Sequence, residues 1–376
     1  AHVLDVPQNA IEVITRRMGG GFGGKETDSS QLACVCAIFA QQTKLSIKAR
    51  LSRKDDILMT GKRHDFKADY KVGYADDGKI LGIEVDLAAR CGYSLDLSKA
   101  IVSRALFHAD NAYFMPNATF RGFLCKTNTA SNTAFRGFGG PQGMLVIENI
   151  IEEIAMNIGV DPLEIRKLNY YQKETNNVTP YDQVVEDNII NELSSELVED
   201  SKYLARRQSI EDFNKNNKYL KKGLALSPVK FGISFTTQLL NQAGALVNVY
   251  KDGSIYINHG GTEMGQGLFI KVAQVVANEF GVNLERVKVS ATSTSKVPNT
   301  SPTAASSGSD LNGMAAREAC LRIKKNLTIF AQNFYGEDND IIEFKDSYVH
   351  VGKKKIAFDE FVSTAYLNRV ELFSNG

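Results

Sequence analysis

Met18-Gly19-Gly20-Gly21-Phe22-Gly23-Gly24-Lys25-Glu26-Thr27 is the stretch on which the reading of this chain turns. Five glycines within positions 19–24 cannot serve helix or sheet stability, because each costs roughly 0.5–1 kcal/mol relative to alanine inside an element. What they permit is positive φ, and an approach to the main chain so close that a Cβ would collide. The small apolar residues that follow, Leu32 to Ala40, predict a buried helix. A glycine loop entering a helix offers N–H groups to an anion or an oxo group. The alternative is a tight loop at a crowded packing site, and a lone glycine loop does not decide between them.

Working outward, a length of 376 residues implies two or three domains. Lys+Arg 44 against Asp+Glu 43 leaves no field to attract nucleic acid or a membrane. The longest apolar run, 32–40, is nine residues, against the ~18 of a spanning helix. Cys34, Cys36, Cys91, Cys125 and Cys320 form no Cys-x-x-Cys pair and sit mostly among apolar neighbours. They read as buried thiols of a reducing compartment, the cytoplasm. The five histidines show no ligand spacing, so a metal here needs a holder other than side chains. The chain starts at Ala1 and stops just after a strand-like pattern, which reads as a piece of a longer polypeptide or one chain of a split one.

Alternating apolar and polar residues predict strands at 9–16 and 45–52. A hairpin is predicted at 70–88 around Asp77-Gly78, then a helix at 98–109 carrying Arg104 and His108. A second loop, Arg136-Gly137-Phe138-Gly139-Gly140, repeats Gly-Phe-Gly-Gly and enters a helix at 142–158 that stops at Gly159. Irregular sequence at 170–187 marks a domain boundary, and a polar helix is predicted over 188–215. Then come strands at 223–236, a hairpin at 245–258 around Asp252-Gly253, and a third loop, His259 to Gly267, entering helix 268–280. A strand at 286–292 precedes a fourth loop, Asn299 to Ser309, which enters helix 309–331; strands at 341–351 and a helix at 358–367 close the chain. Each half thus repeats strands, an Asp-Gly hairpin, a loop of tiny residues and a helix. Four such loops suit an extended polar ligand with phosphate and oxo groups.

Six ordered motifs carry a resemblance: residues 19–27, Ser-Arg-Ala-Leu-Phe-His at 103–108, 131–143, Lys-Phe-Gly-Ile-Ser-Phe-Thr at 230–236, His-Gly-Gly-Thr-Glu-Met-Gly-Gln-Gly at 259–267, and 297–306. Together they resemble the molybdopterin-binding portion of the xanthine dehydrogenase/xanthine oxidase family of molybdenum hydroxylases. The resemblance implies an α+β fold of two related molybdopterin-binding domains. Residues 1–172 would be the C-terminal part of the first, 173–222 a linker with a polar helix, and 223–376 the N-terminal part of the second. It also implies a molybdenum held by a pterin dithiolene, with [2Fe–2S] clusters and FAD on other segments or subunits and a homodimeric assembly. The reaction implied is hydroxylation of hypoxanthine to xanthine and of xanthine to urate.

Carried over by motif, Phe22, Gly23 and Arg136 lie near the molybdenum through their backbone, as does Ala305. Met264, Gly265 and Gln266, with Ala304, Ala305 and Ser306, match the loops around pterin and phosphate. Phe138 and Phe235 resemble the pair that holds a flat heterocycle, and Thr236 adds a hydroxyl. Glu26 and Arg104 take the catalytic roles at the purine's polar edge. Read without the resemblance, Arg104 suits a salt bridge and Glu26 a helix-first-turn carboxylate. In related aldehyde oxidases these two positions tend to be apolar or uncharged. The family's general-base glutamate, in a Gly-Val-Gly-Glu-Pro-like motif, is missing; Gly336-Glu337 is a superficial match that we do not assign. A glutamine that family members place before the first loop is missing too. The expectation is a chain inactive by itself. Alternatives are an aldehyde or other N-heterocycle hydroxylase of the same family, or a nucleotide-binding module, although no loop has Walker or Rossmann spacing.

Overall fold

The structure is a computed structural model and describes residues 1–24, 26–296, 300–336 and 341–376. By contacts it divides into a continuous unit, Arg50–Gly232, and a discontinuous one, Ala1–Ala49 with Ile233–Gly376.

The discontinuous unit begins with β1 (Ile14–Thr15), the first glycine loop and α1 (Asp28–Thr43). The helix forms as its sequence predicts, but it is not buried. Val35 and Phe39 are exposed and Cys34 and Cys36 only partly covered, since its main neighbour is the short turn His2–Leu4. The strand predicted at 45–52 also fails, because among the described residues no strand lies beside it. At 9–16 only β1 is realised.

In the continuous unit α2 (Arg53–Met59) is capped by Ser52, whose Oγ accepts from the Asp55 N–H at 3.2 Å. β2 (Phe66–Tyr74) and β3 (Ile80–Gly92) pair antiparallel around Asp77-Gly78, where Gly78 takes φ 91°. α3 (Ser98–Phe107) then carries the chain to β4 (Ala118–Lys126), parallel to β3. α4 (Gly140–Ile158) lays Ile147, Ile150, Ile151 and Ile154 against Ile83, Val85 and Leu87 of β3, and left-handed Gly159 ends it. α5 (Pro162–Asn169) follows. The polar helix expected at 188–215 is two helices, α6 (Ile190–Asp200) and α7 (Tyr203–Asn216). Lys202 breaks it at φ 53°, and Tyr203 turns inward so that its hydroxyl donates to Asp161 at 3.0 Å. No strand forms at 223–236; the backbone of 228–232 bonds to side chains at the end of α3 instead of to a ladder.

The second part of the discontinuous unit repeats the theme. β5 (Ala245–Val249) and β6 (Ile255–His259) form a hairpin around Asp252-Gly253, and α8 (Leu268–Phe280) leads to β7 (Val287–Val289), parallel to β6. β8 (Thr292–Ser293) pairs with β1. α9 (Gly308–Tyr335) crosses the sheet and packs Ala316, Ala319, Cys320 and Ile323 against Val247, Ile257, Val272 and Val276. β9 (Ile342–Lys345), β10 (Tyr348–Val351) and β11 (Lys354–Ala357) make a small antiparallel sheet, followed by α10 (Phe358–Leu367) and β12 (Phe373–Asn375), which joins β5. Both units therefore share the order hairpin, helix, parallel strand, in an α+β architecture.

Contacts group 1–49 with 233–376. The β1–β8 pairing is one physical reason, and the Met18 N–H bonded to the Glu263 carbonyl at 3.0 Å is another. Cys91 and Cys320 are buried as expected, but Cys125 on β4 is exposed; all five thiols are free. Among the described residues no helix is long and apolar enough to cross a membrane.

Candidate functional site

The two Gly-Phe-Gly-Gly runs fold alike. The Gly24 N–H donates to the Gly21 carbonyl at 3.0 Å, and the Gly140 N–H to the Gly137 carbonyl at 3.0 Å. The central pairs are Phe22 (φ 51°) with Gly23 (φ 108°), and Phe138 (φ 51°) with Gly139 (φ 98°). Positive φ at both central positions is a turn that favours glycine and asparagine, and an L residue pays about 1–2 kcal/mol to enter it. Ser234, Ala305 and Ser306 are also left-handed. Such strain survives only where the surroundings impose it, and it concentrates at ligand-binding sites.

What the glycines are for differs between the loops. At Gly139 and Gly143 a Cβ would sit 2.0 Å from the Ile101 carbonyl oxygen and 2.1 Å from that of Ala105. These two let α4 and the second loop close onto α3, which is the packing explanation. At Gly19, Gly265 and Gly267 a Cβ would meet nothing within 4 Å. Own-chain crowding does not account for those, although positive φ (100° and 76°) calls for glycine at Gly265 and Gly267.

Three loops meet within the discontinuous unit. The first touches the third through Met18 and Glu263, and the third touches the fourth through the Thr262 N–H, 2.8 Å from Thr303 Oγ1. The fourth binds the 230–236 motif through the Ser234 N–H, 2.7 Å from the Ala305 carbonyl. In the third loop the Glu263 carboxylate accepts from Gly265 at 2.8 Å, Gly267 at 3.1 Å and Phe269 at 3.0 Å. Burial raises its pKa, but these three N–H groups and Arg17 more than reverse the effect and leave it below the ordinary value. The Met264 N–H is taken by Gln266 Oε1 at 2.6 Å. The amides at the start of α8 are thus held largely by the loop's own side chains and not offered to a ligand, as the glycine pattern had suggested. Ser307, at the start of α9, makes no side-chain cap.

Of the remaining sequence-derived residues, Phe22 lies 64% exposed at the tip of its turn and Glu26 is half-buried just before α1. Phe235 is half-buried, bracketed by Asn241, which accepts from its N–H and donates to its carbonyl at 2.8 Å each; Thr236 is exposed. Ala304 is half-buried beside Ala305. Arg104, Arg136 and Phe138 belong to the continuous unit. There Arg104 is 3% exposed on α3, and its Nη1 donates to the Gly232 carbonyl. Glu337 and residues Lys25, Val297, Pro298 and Asn299 of the motifs lie outside the described residues.

Two residues escaped the sequence reading. Phe231 places its ring 5.4 Å from the Arg104 guanidinium and 5.0 Å from the His108 ring. Arg63 donates through Nη2 to the Arg136 carbonyl at 2.6 Å and lies 4.4 Å over the Phe135 ring. His108, which the helix predicted at 98–109 carries, bonds through Nδ1 to the Arg104 carbonyl at 2.8 Å, while Nε2 accepts from the Gly232 N–H at 3.0 Å. A carbonyl accepts only, so the proton is on Nδ1. Burial, with Arg104 and Lys230 nearby, pushes the ring's pKa below its ordinary value and keeps it neutral. The available signal for Phe231 and His108 was their place in motifs already quoted; Arg63 had none.

Family models of a molybdopterin cofactor-binding domain match residues 1–170 and 196–376. The chain is 44% identical over 376 residues to xanthine dehydrogenase/oxidase of Gallus gallus, covering 100% of this chain and 26% of that protein. The chain belongs to the xanthine oxidase family of molybdenum hydroxylases. This molybdenum hydroxylase portion is also 47% identical over 343 residues to the nicotinate hydroxylase of Emericella nidulans, covering 91% of this chain and 25% of that one. It spans about a quarter of the length of the curated relatives it matches. Its fold is that of quinoline 2-oxidoreductase from Pseudomonas putida 86, with TM-score 0.87 at 22% identity, over 99% of this chain and 50% of that one.

The residues fit a molybdenum–pterin group. Among the described residues no cluster of three or more His, Cys, Asp or Glu side chains could hold a metal. A metal carried by its own organic ligand needs none. The open space beside Gly19 and the left-handed Phe22, Ala305 and Ser306 suit a group that approaches the backbone closely.

Proposed function

We propose that this chain supplies the cofactor and substrate pocket of a xanthine dehydrogenase acting on hypoxanthine and xanthine. The observation that carries the reading is Arg104, a buried guanidinium held over Phe231 by the Gly232 carbonyl, in a chain whose first loop also presents Glu26. A guanidinium presents its N–H donors in a planar fork, and burial strengthens each hydrogen bond it makes.

When bound, the molybdenum–pterin group supplies the two-electron oxidation that hydroxylates an electron-poor ring carbon. Phe22, Gly23, Arg136 and Ala305 would hold that group through their backbone, and Met264, Gly265, Gln266, Ala304 and Ser306 would hold the pterin. Phe138 and Phe235 are the aromatic residues proposed to contact the flat substrate ring, each such ring contact worth about 0.5–1.5 kcal/mol beyond area burial. Arg104 donates to the purine carbonyl where negative charge grows, so it stabilises the transition state more than the ground state. Glu26 moves a proton between ring nitrogens, and the Thr236 hydroxyl adds a hydrogen bond. Iron–sulfur clusters, FAD, the general-base glutamate and a homodimer partner belong to the rest of the assembly in this reading. Free thiols suit a cytoplasmic setting.

A second reading, hydroxylation of nicotinate or another N-heterocycle, is favoured by the 47% identity to the nicotinate hydroxylase. Full-length enzyme carrying Arg104→Met decides. Xanthine turnover should fall far more than that of an aromatic aldehyde; equal losses would remove xanthine as the substrate, and wild-type preference for nicotinate would install the second reading.

A further inference from the structure

The peptide of Gly232 is gripped from both sides by α3 and the residue that follows it. Its carbonyl takes Arg104 Nη1, and its N–H goes to His108 Nε2 at 3.0 Å. His108 and Arg104 are themselves joined, through Nδ1–H and the Arg104 carbonyl at 2.8 Å. The same end of α3 holds the rest of this strap. Asn111 donates to the Pro228 carbonyl at 2.9 Å and accepts from the Lys230 N–H at 3.0 Å, while the Lys230 ammonium pairs with buried Asp110. Phe231 completes the enclosure. Its ring lies against the Arg104 guanidinium and the His108 ring, and a Cβ added at Gly140 would come within 3.0 Å of it.

A long arginine side chain carries about 2 kcal/mol of rotamer entropy, and selectivity for a substrate edge requires that it be spent before binding. Here the Gly232 carbonyl is one of the groups that hold the guanidinium in place. That carbonyl stands where His108 puts it, because a neutral imidazole with its proton on Nδ1 offers Nε2 as an acceptor. We propose that His108 is a positioning residue for purine recognition, acting through the Gly232 peptide to fix Arg104. The proposal rests on Arg104 contacting the substrate, as in the function proposed above.

The test uses the full-length enzyme, with xanthine and an aromatic aldehyde as paired substrates and activity normalised to molybdenum content. His108→Leu should lower kcat/KM for xanthine roughly 10- to 100-fold, mostly in kcat, and change the aldehyde value by less than about threefold. His108→Gln, whose Oε1 can accept from Gly232, should recover most of the loss. His108→Asn, which is too short, should not, and this pair carries the comparison if the leucine variant fails to fold. Added to Arg104→Met, His108→Leu should bring almost no further loss, because the two act as one unit. Equal losses on both substrates from His108→Leu, or the same factor repeated in the Arg104→Met background, would overturn the positioning role while Arg104 keeps its own. An Arg104→Met enzyme that loses both activities equally would overturn the underlying reading and this proposal with it.

Discussion

Phe22 and Phe138 share one backbone conformation, φ 51°, at the same place in a Gly-Phe-Gly-Gly turn. A phenylalanine has no steric reason to prefer it, so the turn is imposed on the ring and the glycine beside it relieves the next position. Each unit carries one copy, entering a helix.

The first prediction follows from that strain. At exposed Phe22, asparagine tolerates the left-handed region and valine does not. Phe22→Asn should leave the thermal midpoint of the chain near wild type, and Phe22→Val should cost about 1–2 kcal/mol. Matching midpoints for the two variants would show that the turn is unstrained.

Glycines in different loops should fail in different ways. Gly143→Ala drives a methyl to 2.1 Å from the Ala105 carbonyl oxygen and should destabilise by about 2–3 kcal/mol in urea titration. Gly19→Ala meets no atom within 4 Å and should change stability by less than about 0.5 kcal/mol while lowering the molybdenum content of the full enzyme. Normal metal loading in Gly19→Ala would mean that no cofactor approaches there.

Glu263 sets an acid limit on the discontinuous unit. Its folded pKa lies below the ordinary value of 4.5, so its stabilisation is complete above that value and is lost as pH falls through the depressed one. Glu263→Gln leaves an amide facing an N–H and should cost about 1–3 kcal/mol at neutral pH. Unfolding measured from pH 7 down to pH 3 should show the difference between wild type and variant shrinking; a constant difference would contradict the ionised cap.

Arg63 should govern the second loop. Arg63→Lys keeps the charge but loses the planar fork that reaches the Arg136 carbonyl while stacking on Phe135. Amide exchange at 136–140 should rise by roughly tenfold, as expected for about 1–1.5 kcal/mol of local opening. Unchanged exchange there would assign loop rigidity to the glycine packing alone.

Much of the architecture was readable beforehand because it rests on local signals. Asp77-Gly78 and Asp252-Gly253 demand hairpin turns whatever surrounds them, and the isoleucines of α4 mark one helical face ending at Gly159. The failures are of another kind. The alternation at 45–52 specifies a strand only if an edge lies beside it, and the backbone of 228–232 bonds to the Asn111 and His108 side chains instead of to a ladder. Arg63 carried no pattern, since its partner is a carbonyl, and every residue has one.

Sequence alone determined the four glycine loops, the helices they enter, the repeated hairpins and the family to which these belong, because conformational freedom and hydrophobic periodicity are properties of short stretches. Tertiary structure decided which glycines are crowded by their own chain and which face open space, that the first 49 residues join the last 144 through β1 and β8, and that Arg104 is held by Gly232. Those facts depend on distances between residues far apart in the chain, which no local pattern encodes.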